Sequence, residues 1–203
     1  LADTPSPYDG ETPVSPDDAA AFVDGVTFET LDAVYQAEAQ AIAEVREELY
    51  EAIADGQLTT RELTDRYTLE KIHEQANAGI WSWAGRIRTS EVSIGAAPEN
   101  IRDQLYGELD NLRWQTEHPE VHGLTPEAVA MAAHHHLVKI HPFVDGNGRI
   151  TRLFADLLLF ALTGDRVFDW PDGPEYFAAL RRADASMNPA ELVELVGIER
   201  LAD

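Results

Sequence analysis

His141, Asp145, Arg149 and Arg152 fall within one short run, His141-Pro142-Phe143-Val144-Asp145-Gly146-Asn147-Gly148-Arg149-Ile150-Thr151-Arg152. Together these residues could grip a nucleoside triphosphate and pass part of it to a hydroxyl. A histidine titrates near neutrality and can take the proton of an attacking hydroxyl. Asp145 is a hard oxygen ligand suited to Mg²⁺, with a nucleotide's phosphates supplying further oxygens. Arg149 and Arg152, at i and i+3, can reach one side of a helix and make charge-assisted, bidentate bonds to phosphate. Gly146 and Gly148 permit a tight turn with inward N–H groups, and a helix N-terminus behind it favours an anion. Phe143, set between polar neighbours, reads as the anchor of the loop in the core. At average residue usage the eight defining positions coincide on the order of once in 10¹⁰ starting points, so chance is set aside.

The elements that must position this run are legible on either side of it. Thr125-Pro126-Glu127 combines an N-cap hydroxyl, a first-turn proline and an early acid. With Val129, Ala133, Leu137 and Ile140 behind it, it predicts a helix from about Leu124 to Ile140. Pro142 pushes His141 out of the α region, so the base opens a loop at a helix end. A second helix is predicted from about Asn147 to Thr163, stopped by Gly164. Upstream, residues 1–26 read as an extended arm rich in Pro, Asp, Thr and Ser, and 27–203 as a single domain. A helix is expected from about Glu29 to Asp55, and a Thr59-x-x-Glu62 capping box opens another to about Ala78. Pro98-Glu99 starts a helix to about Glu117, followed by a loop from His118 to Gly123. A loop from Asp169 to Pro174, a helix to Ala183 and a last helix capped by Asn188-Pro189-Ala190-Glu191 complete the chain.

The run resembles the signature of the Fic (Fic/Doc) family, His-x-Phe-x-Asp/Glu-Gly-Asn-Gly-Arg-x-x-Arg, at every defining position. The resemblance implies an all-α, Fic-like helical bundle and, as the commonest activity, transfer of AMP from ATP to a Ser, Thr or Tyr hydroxyl of a protein. It makes His141 the general base and Asp145 the Mg²⁺ ligand. It makes Gly146, Asn147 and Gly148 the phosphate cradle, and gives Arg149 and Arg152 the β- and γ-phosphates. The stretch Ile80-Trp81-Ser82-Trp83-Ala84-Gly85-Arg86-Ile87-Arg88-Thr89 is similar to the family's Trp-Ala-Gly-x-x-Arg, which leads into a β-hairpin flap over the active site. The flap then spans about 86–97 with Ser93, Ile94 and Gly95 near its tip, where Ile94 either clamps a target segment or pins the flap. The layout from about Thr27 to Trp170 resembles the bacterial subgroup called mobile mystery protein B.

An intact Gly148-Arg149 separates the chain from the family's phosphotransferase branch and points to nucleotidyl transfer. The competing readings are a Fic-type phosphotransferase, transfer of another nucleotide, and a nucleotide-binding toxin or regulatory module controlled by a partner antitoxin. Many family members carry an inhibitory Ser/Thr-x-x-x-Glu-Gly/Asn. Here Glu99-Asn100 has Gly95 four residues earlier, so the pattern is missing. Restraint is expected in trans from a partner, or from an atypical acid among Glu38, Glu44, Glu47, Glu48 and Glu51. The missing glutamate also argues against an AMP-removing activity.

A net charge of −22, with Lys71 and Lys139 the only lysines against thirteen arginines, repels nucleic acid and anionic lipid. That acidity suits concentrated salt, or an acidic protein of an arginine-biased genome, equally well. Against it the signature arginines form a local positive site. No run of about 18 apolar residues exists, and with no cysteine a cytoplasmic protein is expected. His134, His135 and His136 occupy successive helix positions that point in three directions, which argues for packing or exposure and against a joint metal site. His73, His118 and His122 read as surface or loop residues, and Trp81 and Trp83 as packing at the root of the flap.

Overall fold

The structure is a computed structural model that describes residues 12–171 and 173–201. Side-chain caps set its first boundaries. Ser15 and Thr30 accept the N–H groups of Asp18 and Ala33 and open α1 (Pro16–Ala21) and α2 (Leu31–Ala54). Thr59 and Glu62 form the reciprocal capping box ahead of α3 (Thr60–Leu63). The single helix expected to run on to Ala78 is instead broken, and α4 (Thr68–Asn77) starts afresh. Side chains near and far take backbone carbonyls at the break. Thr64 Oγ1 bonds back to the Thr60 carbonyl, Thr68 Oγ1 donates to Glu62, and Arg113 takes the Thr64 carbonyl at 2.8 Å.

A 3₁₀ turn at Pro98–Asn100 leads into α5 (Ile101–Glu117). Where a loop was expected, Pro119 opens the short α6 (Pro119–His122), ended by left-handed Gly123. Then come α7 (Pro126–Ile140), α8 (Asn147–Thr163), β1 (Arg166–Asp169), α9 (Pro174–Ser186), α10 (Ala190–Leu195) and β2 (Gly197–Arg200). The fold is mostly helical, with β1 and β2 antiparallel and Arg166 opposite Arg200. Among the described residues no helix is long and apolar enough to cross a membrane.

Two expectations change in the folded chain. Residues 86–97 carry no strand pairing. Their backbone donors reach across to the loop after α7: Arg88 N–H to Pro142 C=O at 2.9 Å, and Ala96 N–H to Ile140 C=O at 3.0 Å. The Arg88 guanidinium joins the two arms by donating to the carbonyls of Ser90 and Ala96, in place of a ladder. The expected N-terminal arm also differs. Its residues 1–11 lie outside the described residues, but from residue 12 onward it packs on the domain. Leu31 N–H reaches Thr12 C=O, and Val23 N–H reaches Ile80 C=O. Phe22, with Phe28, covers the face of Trp81, because these apolar rings have more to gain from burial than from an extended tail.

The core forms around α7 and α8, which pack most extensively on each other. Leu137, Leu153, Phe154 and Leu158 are fully buried between them and α5, each burial contributing roughly 1.5–3 kcal/mol. Asp156, in mid-α8, is buried as well. It accepts the Phe168 N–H and the Trp170 Nε1–H, tying β1 to α8, and burial pushes its carboxyl up to about 7. This rigid pair holds the signature, residues 141–152, at the junction of its two helices.

Candidate active site

His141 is placed by strain and by a clamp. Pro142 excludes the α region for His141, which turns left-handed (φ 55°) as the C-cap of α7. Arg88 Nε donates to the His141 carbonyl at 2.7 Å and its Nη2 to the Ala96 carbonyl, fixing His141 and the 86–97 segment together. Gly95 lies directly against His141. A Cβ there would stand 2.6 Å from His141 Cβ and 2.8 Å from Arg88 Nη2, so only glycine, at φ +102°, permits this approach. The His141 ring is half-buried. Burial pulls its pKa below the ordinary histidine value, with the charge of Arg88 adding to the effect and the Val138 carbonyl and Asp145 opposing it. Its Nδ1 is buried without a hydrogen-bond partner. That leaves Nε2 as the nitrogen for an incoming proton.

The loop beyond is built from inside. Phe143 is fully buried and stacks on His73 with ring centres 3.8 Å apart. Asn147 is turned inward: its Oδ1 accepts the Phe143 N–H and its Nδ2 donates to the Phe143 carbonyl, both at 2.9 Å. The Asn147 side chain is therefore committed to closing the loop, and only its backbone N–H is left to meet a phosphate. Gly146 caps α8 in the left-handed region (φ 75°). The first bond of that helix runs from Ile150 N–H to Gly146 C=O, so the N–H groups of Asn147, Gly148 and Arg149 have no intrahelical acceptor. Gly148 is a different case from Gly95. A Cβ there meets nothing within 4 Å, so the fold does not require glycine, whereas close approach of a ligand to bare backbone would.

The charged residues surround this helix end. Asp145 is well exposed, with Oδ1 on the Gly146 N–H and Oδ2 3.9 Å from Arg149 Nη2. Arg149 reaches the other way with Nη1, to Glu38 on α2 at 2.6 Å. Arg152 lies over the rings of Tyr176 (4.6 Å) and Trp170 (5.6 Å), and its Nε is buried without a hydrogen-bond partner. Among the described residues no carboxylate forms an ion pair with Arg152, while Arg149 has two near it. The two arginines thus leave α8 toward different neighbours. Ser93 and Ile94 are exposed on the 86–97 segment, Ile94 at 61%. A groove of about 1040 Å³ opens beside them, walled by Ile94, Ile140, Phe177 and Leu180 with Arg181 and Asp184 among its polar groups.

His73, expected at the surface, is instead a functional neighbour of the signature. It is fully buried. Its Nδ1 accepts the Gly85 N–H at 2.9 Å, so its Nε2 carries the proton and donates to the Asp145 carbonyl at 3.2 Å. Burial drops its pKa to about 4, so it stays neutral and joins the Trp-Ala-Gly stretch to the signature. A signal for this does exist in the sequence, because Leu69, Ile72, His73 and Ala76 share one helical face that is buried throughout. The three consecutive histidines point to separate partners: His134 to Thr151 and Tyr176, His135 to Asp184, His136 to Glu108. His134 thereby steadies Tyr176, on which Arg152 rests.

A helical domain thus gathers a half-buried histidine, an exposed acid and two arginines around a helix N-terminus, which offers donors to an anionic ligand. This chain belongs to the Fic/DOC family, whose model matches residues 38–159. It is 39% identical over 80 residues to protein adenylyltransferase fic-1 of Caenorhabditis briggsae, a match covering 37% of this chain and 15% of the nematode protein. Among solved structures it is similar to the N-terminal Fic domain of a Bartonella quintana effector (TM-score 0.63, 20% identity, 93% of this chain and 88% of that one). It is also similar to BepC of Bartonella tribocorum, solved with AMPPNP bound (TM-score 0.60, 18% identity, 87% of this chain and 93% of that one). At these identities the structural likenesses speak for the fold.

Proposed function

We propose that this chain is a protein adenylyltransferase, moving AMP from ATP to a Ser, Thr or Tyr hydroxyl of another protein. One observation carries the reading. A histidine whose pKa is lowered by burial caps α7, and the loop it opens ends in the free N–H groups of residues 147–149 at the start of α8. Relatives named as adenylyltransferases and a neighbour holding AMPPNP support the same choice of substrate.

In the reaction the target hydroxyl oxygen attacks the α-phosphorus. His141 Nε2 takes its proton as the new P–O bond forms, and the bond to the β-phosphate bridging oxygen breaks to release pyrophosphate. Backbone N–H groups and the dipole of α8 stabilise the charge that develops on the phosphates. Arg149 and Arg152 hold the β- and γ-phosphates, and the unpartnered Nε of Arg152 is a donor free for them. Asp145, exposed and with Oδ2 turned toward solvent and Arg149, would hold Mg²⁺ together with the phosphates. When bound, the ion neutralises phosphate charge. The groove beside Ile94 accommodates the nucleoside or the target segment. A cytoplasmic site of action and restraint by a partner such as an antitoxin belong to this reading. They are supported by the cysteine-free sequence and by the unpaired Arg152 among the described residues.

Incubation of the purified chain with lysate and α-labelled ATP is expected to label protein, and γ-labelled ATP is not. Label from the γ position alone would make this a phosphotransferase. ATP binding without transfer of either label would make it a nucleotide-binding module.

Two glycine substitutions separate chemistry from folding. Gly148→Ala meets open space, so its melting temperature should match wild type while ATP affinity falls about 10-fold, a methyl group standing where phosphate must approach. Loss of stability of several degrees would contradict it. Gly95→Ala collides with His141 and is expected to cut transfer about 100-fold through a displacement of roughly 1 Å. Full activity in that variant would show that the contact with the base does not matter.

A further inference from the structure

Among the five acidic residues of α2 named above, Glu38 alone reaches the signature. Glu44 and Glu47 bond to Gln40 and Arg46 on their own helix. Glu38 is buried, and both of its carboxylate oxygens are engaged: Oε1 accepts Trp81 Nε1–H at 2.7 Å, and Oε2 accepts Arg149 Nη1–H at 2.6 Å. Two opposite consequences are available to such a contact. A carboxylate beside a phosphate-binding arginine lowers the positive potential offered to ATP. The same carboxylate fixes the orientation of a long side chain that would otherwise sample many rotamers.

Geometry decides between them. Glu38 takes a single Nη1 of a guanidinium that has five N–H donors, leaving the Nη2 edge directed at the loop, 3.9 Å from Asp145 Oδ2. The carboxylate itself is immobilised by the Trp81 indole, on a 24-residue helix packed against both α4 and α8. An inhibitory acid must be able to leave, and this one is held from both sides. We propose that Glu38 is a positioning residue: it aims Arg149 at the phosphates and, through Trp81, couples that arginine to the root of the 86–97 segment. The inference rests on the nucleotide reading given above and adds to it the residue that sets Arg149. It also explains why Trp81, whose ring is buried against Phe22 and Trp83, presents its one N–H to a carboxylate.

The test is calorimetric titration of the full chain with MgATP, alongside thermal denaturation, for wild type, Glu38→Ala, Glu38→Gln, Trp81→Phe, Arg149→Ala and the Glu38→Ala/Arg149→Ala double variant. Glu38→Ala should weaken ATP binding about 10-fold, the effect of one charge-assisted hydrogen bond. Glu38→Gln, which keeps an acceptor, should recover part of it, and Trp81→Phe should move affinity the same way by a smaller factor. In the Arg149→Ala background, Glu38→Ala should add nothing, which a merely structural role would not produce. ATP binding that is unchanged or tighter in Glu38→Ala, or a loss that adds in full to that of Arg149→Ala, overturns the proposal and leaves the nucleotide reading intact. Wild-type chain that binds no ATP overturns both. Should Glu38→Ala fail to fold, Glu38→Gln and Trp81→Phe decide alone: wild-type affinity in both overturns the inference, and weakened affinity in both sustains it.

Discussion

His141→Asn is expected to lower AMP transfer by about 10²–10⁴-fold, the usual worth of a positioned general base, with ATP affinity and melting temperature close to wild type. Asparagine is the informative substitution because position 141 is left-handed, and asparagine tolerates that region where alanine is strained. An alanine variant would mix loss of the base with distortion of the loop. The pH dependence follows from the same geometry. The base works only when neutral, and burial holds its pKa below the ordinary 6.5. As pH falls, kcat/KM should therefore decline with the midpoint of its acid limb below 6.5, as His141 Nε2 becomes protonated. Initial rates of the wild-type chain across that range, referenced to the Asn variant, check both points. An acid limb at or above the ordinary histidine value, or a variant with unreduced transfer, would remove His141 from the role of base.

Phe143→Ala carries the largest expected cost to the fold. The ring is fully buried and stacked on His73, and truncations of this kind cost about 3–5 kcal/mol. For a chain of this size that is a drop of roughly 10 °C in melting temperature. The effect reaches the chemistry because Asn147 folds back on the Phe143 backbone and His73 holds the Asp145 carbonyl. Without the ring, the turn that presents residues 146–149 loses its support. His73 remains neutral through the physiological range, so the defect should not depend on pH there. Differential scanning calorimetry with an ATP titration measures the two effects separately. A variant melting within about 2 °C of wild type would mean the loop is held by something other than this stack.

Much of this site is legible in the sequence, because its order is local. Thr125-Pro126 and Gly164 bound α7 and α8 within a residue or two of expectation, since caps and helix stops act on their immediate neighbours. Pro142 alone accounts for His141 leaving its helix. Other features escape such a reading for equally physical reasons. The break between α3 and α4 depends on Arg113, 49 residues away, taking the Thr64 carbonyl. The segment 86–97 finds its hydrogen-bond partners on Ile140 and Pro142 and so needs no partner strand. Asn147 has the look of a phosphate ligand, yet its side chain is the latch of its own loop, a choice the motif's spacing does not encode.

The chemistry therefore belongs to the sequence. Residue types at fixed short spacing, from the end of α7 to the start of α8, supply a histidine, an acid, glycines beside bare backbone and two cations, and no distant contact is needed to bring them together. What those groups can do at a given moment belongs to the tertiary structure. Burial and the charge of Arg88 lower the His141 pKa while the Arg88 clamp fixes its backbone, Tyr176 and Trp170 carry Arg152, and Glu38, 111 residues from its partner, sets Arg149. Charge state and side-chain direction depend on which atoms lie within a few ångströms, and only the folded chain decides that.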